Sequence, residues 1–93
     1  MLFRSRIDPR LITAWLNLAS AYTMQQEDAK AVQAARQAVE LDPDSGMAHN
    51  NLAVALYFSG AYQEALHHLE RARELGYSVD PRFSDGLKAK ALQ

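Results

Sequence analysis

The residues of this sequence that most readily suggest chemistry are its three histidines, His49, His67 and His68. Imidazole nitrogens serve as metal ligands and as general bases. His67 and His68 are adjacent, so on a helix their side chains would point about 100° apart. No carboxylate completes a ligand set at a suitable spacing. We therefore predict no metal site and no resident cofactor.

The recognised catalytic motifs do not occur either. The sequence has no glycine-rich nucleotide fingerprint, no P-loop and no nucleophile elbow, and its Ser, His and Asp residues do not share a turn. Glu64, Glu70 and Glu74 alternate with Arg71 and Arg73 along one predicted helix. The arginines offset the like-charge pair that Glu70 and Glu74 form at i and i+4. The pattern favours a solvated helix face, and we predict that the chain is not an enzyme.

Composition limits the possible partners. The 93 residues include 10 basic and 11 acidic side chains, giving a net charge of −1, and no cysteine. This balance gives no reason to expect binding to nucleic acid or to an anionic membrane. Residues 1–6 are too short and too charged for a signal peptide, and no apolar run approaches the roughly 18 residues of a membrane span. We expect a single domain in the cytoplasm.

Apolar spacing, together with proline and glycine breaks, predicts about five helices. Their expected spans are residues 9–24, 27–41, 45–58, 61–75 and 80–92. The first helix is expected to bury a stripe of five residues, which are Leu11, Trp15, Leu18, Ala19 and Tyr22. The second is expected to bury small residues that allow close helix approach, which are Ala31, Val32, Ala35, Ala38 and Val39.

The helices repeat with a period of 34 residues. Identical residues separated by that offset include Ala14/Ala48, Leu18/Leu52, Ala19/Ala53, Ala31/Ala65, Ala38/Ala72 and Pro9/Pro43. A helical hairpin repeated at this spacing is typical of an all-α solenoid, the alpha-alpha superhelix. We divide the chain into a stub of a preceding repeat at residues 1–9, repeat 1 at 10–43, repeat 2 at 44–77 and a capping helix at 80–92.

The repeats resemble the tetratricopeptide repeat, with its pattern W-x2-L-G-x2-Y, then A-x3-F, then A and P. Repeat 1 carries Trp15, Leu18, Ala19, Tyr22, Ala31, Ala35, Ala38 and Pro43 at these positions. Repeat 2 carries His49, Leu52, Ala53, Leu56, Ala65, Leu69 and Ala72. The sequence departs from the pattern at His49, which replaces tryptophan, and at Ala35, which replaces an aromatic residue. His49 in that position is expected to be a partly buried packing residue.

The resemblance implies a protein–protein interaction module that holds a peptide or helix of a partner protein in a concave groove. The implied groove residues are Thr13, Leu16, Asn17, Ser20, Thr23, Met24, Met47, Asn50, Asn51, Val54, Tyr57 and Phe58. Tyr57 and Phe58 have an alternative role, in packing on the next helix or in a dimer contact. One subgroup of the family binds chaperone tails through lysines and asparagines. Asn51 matches that pattern, but Leu16 and Ser20 replace a lysine and an asparagine, so we do not expect this clamp.

Two other interpretations remain open at this point. The chain could be a self-association element, forming a homodimer through an exposed solenoid end or by a helix swap. Leu2, Phe3 and Ile7 in the stub would supply apolar contacts for it. Alternatively, the chain could be one domain of a protein whose chemistry resides elsewhere.

Overall fold

The computed structural model describes residues 8–93, which form five α-helices and contain no strand. The helices are α1 (Pro9–Met24), α2 (Asp28–Leu41), α3 (Gly46–Ser59), α4 (Tyr62–Glu74) and α5 (Pro81–Ala91). This confirms the predicted all-α helical-hairpin architecture. Residues 1–7, which hold most of the predicted stub, lie outside the described residues.

Helix starts follow the local sequence. The Asp8 side chain accepts a hydrogen bond from the Arg10 backbone N–H at 2.9 Å, and the Asp80 side chain does the same for Arg82 at 2.9 Å. A proline follows each aspartate in the first helical turn, where no backbone donor is needed. Ser45 Oγ accepts from the backbone N–H of Ala48 at 3.1 Å and begins α3. These caps explain why three helix starts lie within one residue of their predicted positions.

Left-handed residues end the first helix of each hairpin. Gly60 ends α3 with φ of 89°, a conformation that glycine adopts without steric cost. The residue 34 positions earlier is Gln26, which has φ of 63° between α1 and α2. The turn without glycine therefore has the same backbone bend as the turn with it.

The helices pack in chain order, with α3 at the centre. Helix α3 contacts α1, α2 and α4, and α5 packs on α4. Six residues of α3 are buried, namely Ala48, His49, Leu52, Ala53, Ala55 and Leu56. The described residues form an elongated body of 47 × 29 × 17 Å. Contacts between neighbouring hairpins are typical of a solenoid.

Small residues allow the helices to approach closely. Helix α2 buries four alanines, which are Ala31, Ala34, Ala35 and Ala38. Ala34 was not among the predicted buried residues. At the start of α3, a Cβ on Gly46 would lie 2.8 Å from the Cβ of Tyr77, so this position has no room for a side chain.

The predicted buried stripe of α1 is wrong at two positions. Leu11 is 51% exposed and Leu18 is 38% exposed, whereas Leu16 is only 4% exposed. Ala19 is buried as predicted, and Trp15 is partly buried. Leu18 is exposed because, among the described residues, no helix covers the side of α1 that corresponds to the side of α3 facing α2.

Candidate peptide-binding groove

Five of the predicted groove residues meet in a depression between α1 and α3. The depression has a volume of about 230 Å³. Its lining is Ala19, Ser20, Thr23, Met24, Asn51 and Val54. Met24 is 85% exposed, so its flexible side chain is available to a ligand. None of the six lining residues carries a charge.

The amide groups beside this depression offer hydrogen-bonding capacity. Asn51 Oδ1 accepts a long hydrogen bond of 3.4 Å from Asn50 Nδ2, and both residues are half-buried. Thr23 Oγ1 donates to the backbone oxygen of Ala19 at 3.0 Å, so this hydroxyl proton is already engaged. The Asn51 amide nitrogen and the Ser20 hydroxyl are therefore the side-chain groups of the lining that can donate to a ligand carbonyl.

The other predicted groove residues are more scattered. Thr13 and Asn17 line a second depression of about 320 Å³ on α1, beside Arg10. Met47 is 51% exposed at the start of α3. The structure does not bring these residues into the depression that holds Met24.

The prediction that Leu16 lines the groove is wrong. It is 4% exposed and packs in a buried cluster with Ala38 and Ala48. Leu16 therefore joins α1, α2 and α3 and cannot line an open groove. Its counterpart 34 residues later, Asn50, is half-buried, so the same repeat position has different environments in the two hairpins.

Tyr57 packs on the last helix, which was the alternative role considered for it. Its ring lies 5.5 Å from the ring of Phe83 in α5 and 5.7 Å from that of Tyr62 in α4, measured between centroids. Phe58 contacts Tyr57 edge-on at 5.3 Å and remains 55% exposed. Tyr57 thus links three helices, and Phe58 is the aromatic residue of this pair that stays accessible.

Comparisons with known proteins agree with the architecture. One sequence model of the tetratricopeptide repeat matches residues 12–55, and a second matches residues 47–76. The chain belongs to the tetratricopeptide repeat family. It is similar to small glutamine-rich tetratricopeptide repeat-containing protein 2 of Mycosarcoma maydis, with 35% identity over 90 residues, or 94% of the chain. The chain spans 24% of the length of that relative.

Membership of the tetratricopeptide repeat family indicates a protein–protein interaction module. No helix among residues 8–93 has the length and apolar character needed to cross a membrane.

His49, at the tryptophan position of the second tetratricopeptide repeat, forms a hydrogen-bonded pair with His68. The Nδ1 atoms of His49 and His68 lie 3.0 Å apart, and His49 Nε2 lies 2.7 Å from the backbone oxygen of Pro43. His49 is 6% exposed. His67, in contrast, points to solvent. Within residues 8–93, no group of three potential metal-ligating side chains is found. The contact between His49 and His68 joins α3 to α4.

An ion pair missed by the sequence analysis joins α2 to α4. Arg36 donates two hydrogen bonds to Glu64, at 2.6 and 3.1 Å. The Arg36 guanidinium lowers the pKa of Glu64, and the carboxylate raises the pKa of Arg36. The two residues are 28 positions apart, so helical periodicity gave no signal for this pair. Only the alignment of the two repeats would have placed α2 against α4.

Proposed function

We propose that this chain binds a segment of a partner protein in the depression between α1 and α3, without catalysing a reaction. The observation that carries the proposal is the uncharged, partly apolar lining, which includes the amide donor of Asn51. Met24 and Val54 provide apolar contact, and Asn51 can donate a hydrogen bond to the partner backbone. The cytoplasm remains our expected location.

The lining also favours a particular kind of partner segment. A charged side chain placed against Ala19, Met24 or Val54 would lose hydration without gaining an ionic partner, which is unfavourable. We therefore expect the bound segment to present uncharged side chains to this depression. An acidic tail is a poor match, in keeping with Leu16 and Ser20 at the positions of the chaperone-tail clamp.

A library selection followed by affinity measurements tests the proposal. Peptides are selected from a random display library on the wild-type chain, and their affinities are measured by fluorescence anisotropy. Val54→Arg places a long cation in the depression, and Asn51→Ala removes the donor. We expect Val54→Arg to weaken the selected peptides at least tenfold and Asn51→Ala to weaken them about two- to tenfold, as for a lost hydrogen bond.

His67→Arg is the matched control, because it adds the same positive charge at an exposed position of α4. The control should leave the affinities unchanged. Recovery of no peptide with saturable binding, or equal affinity for the wild-type and Val54→Arg chains, would contradict the proposed function.

A further inference from the structure

A third depression lies between α1 and α2, away from the proposed groove. It has a volume of about 520 Å³. Its lining is Trp15, Leu18, Tyr22, Lys30, Gln33, Ala34, Arg36, Gln37 and Glu40. Three of these residues are large apolar or aromatic side chains of α1, and the charged part of the lining is two basic side chains and one acidic side chain of α2.

The corresponding surface of the second hairpin is covered. Three exposed positions of α1 have identical counterparts in α3 that are at most 2% exposed. The pairs are Ala14/Ala48, Leu18/Leu52 and Ala21/Ala55. Helix α2 packs against α3 there, with Ala38 and Ala48 in one buried cluster. Helix α1 therefore presents a copy of the surface that α3 offers to α2.

The helix that covers α3 shows what such a surface accepts. Ala31, Ala35 and Ala38 of α2 are each at most 1% exposed. Small side chains at these spacings bring the helix axes close together, and a larger residue would need the packed helices to separate. A helix that covers α1 in the same way needs a stripe of small residues.

The exposed surface of α1 and the surface on which α2 docks differ in charge. Where α2 docks, Arg36 pairs with Glu64 at 2.6 Å. The residue 34 positions before Glu64 is Lys30, so a helix docked on α1 in the same register meets a cation where α2 meets a carboxylate. Lys30 already lies 3.2 Å from Glu27, but both side chains are about half exposed and such pairs are weak.

We propose that the α1–α2 depression binds an amphipathic helix of a partner protein, with a stripe of small residues and a carboxylate opposite Lys30. A second copy of this chain is a poor occupant in this register, because its α2 would bring Arg36 against Lys30. The residue 34 positions before Arg36 is Leu2. The chain's own residues before Asp8 therefore supply no carboxylate at the place opposite Lys30.

The chain contains its own reporter for this binding. Trp15 is its one tryptophan and lines the depression. Two peptides serve as probes: one with the sequence of residues 27–41, and the same peptide with Arg36→Glu. Each is titrated to about 1 mM while Trp15 fluorescence is followed. We expect the Arg36→Glu peptide to bind about two- to fivefold more tightly, the range for an exposed ion pair.

Charge reversal in the chain provides the decisive comparison. Lys30→Glu should reverse the preference, so that the unmodified peptide binds more tightly. Leu18→Glu, at an exposed position, should abolish binding of both peptides. Arg82→Glu on α5 is the matched control, since it makes the same charge change at a side chain that is 95% exposed, and it should change neither affinity. Circular dichroism checks that each variant is folded.

Three results would overturn the inference. The first is no saturable change in Trp15 fluorescence with either peptide. The second is a preference between peptides that Lys30→Glu does not reverse. The third is a concentration-dependent dimer in light scattering that Leu18→Glu abolishes, which would assign this surface to a second copy of the chain.

Discussion

At the scale of single residues, His49 and His68 of repeat 2 stand at positions where repeat 1 has a large and a small side chain, respectively. Their counterparts 34 residues earlier are Trp15 and Ala34. Since the oxygen of Pro43 only accepts, His49 Nε2 must donate to it across 2.7 Å. In neutral His49, Nδ1 is then an acceptor, and His68 Nδ1 must be the donor across the 3.0 Å contact. These tautomers follow from the hydrogen bonds, and a proton on both Nδ1 atoms would place two donors face to face.

The histidine pair should make stability depend on pH. Burial, followed by the nearby His49 and His67, lowers the pKa of His68. The folded chain therefore disfavours charged His68, and the associated stability is complete above about pH 6.5 and is lost as pH falls through the folded-state pKa. We expect the free energy of unfolding, measured by urea denaturation, to fall by up to about 1.4 kcal/mol per pH unit in this window, for the one proton that His68 takes up.

Other charged groups also face the pair, and a double variant separates their effects. Arg36 and Glu40 approach from α2, and Glu64 and His67 lie on α4. The pKa of Glu64 is lowered in the folded chain, so protonation of this carboxylate also lowers the free energy of unfolding. That loss occurs at more acidic pH, below about 4.3. The double variant His49→Trp/His68→Ala reproduces the residue pair of repeat 1 and should remove the histidine-dependent slope. An unchanged slope between pH 7.5 and 5.5 would contradict this role.

Leu16 and Met24 should respond oppositely to truncation. Both were predicted groove residues, but they are 4% and 85% exposed, respectively. Leu16→Ala should lower the free energy of unfolding by about 2–4 kcal/mol because it leaves a cavity among three helices. Met24→Ala should change it by less than about 0.5 kcal/mol. Urea denaturation measures both variants, and a small loss for Leu16→Ala would show that this site is not tightly packed.

At the scale of secondary-structure elements, local sequence determines where helices begin and end. Aspartate followed by proline begins α1 and α5, and Gly60 ends α3. These signals need no knowledge of neighbouring helices, and for that reason the boundaries could be predicted closely. The burial of Leu18 could not, because it depends on whether another helix covers α1.

The turn between α1 and α2 should be stabilised by glycine. Gln26 has φ of 63°, a left-handed conformation that costs a residue with a side chain about 1–2 kcal/mol. Part of the gain from Gln26→Gly is offset by the greater freedom of glycine in the unfolded chain. We therefore expect a net gain of about 0.5–1 kcal/mol in thermal or urea unfolding.

The reciprocal change tests the same argument. Gly60→Gln puts a side chain at φ of 89° and should destabilise the chain. Nothing lies within 4 Å of a Cβ built at Gly60, so the effect would come from the backbone and not from a clash. A loss of stability in Gln26→Gly would refute the strain explanation.

At the scale of the whole molecule, the 34-residue repeat specifies which helices are neighbours. It does not specify which surfaces stay open. Helix α3 is enclosed by α1, α2 and α4, whereas α1 packs mainly on α2 and α3 among the described residues. Among the depressions beside α1 are an uncharged one between α1 and α3 and a partly charged one between α1 and α2. The family resemblance implied Met24, Asn51, Val54 and Tyr57 as groove residues, but it gave no signal for the packing of Tyr57 on Phe83 of α5.

Mapping a selected peptide by NMR tests the central claim most directly, namely that the depression between α1 and α3 binds a partner segment. Methyl-labelled methionine gives a signal for Met24, which lines that depression, and the Trp15 indole reports on the other one. We expect a peptide from the display selection to shift the Met24 methyl at saturation and to leave the Trp15 indole unchanged. Saturable binding that shifts Trp15 and leaves Met24 unchanged would contradict the proposed groove.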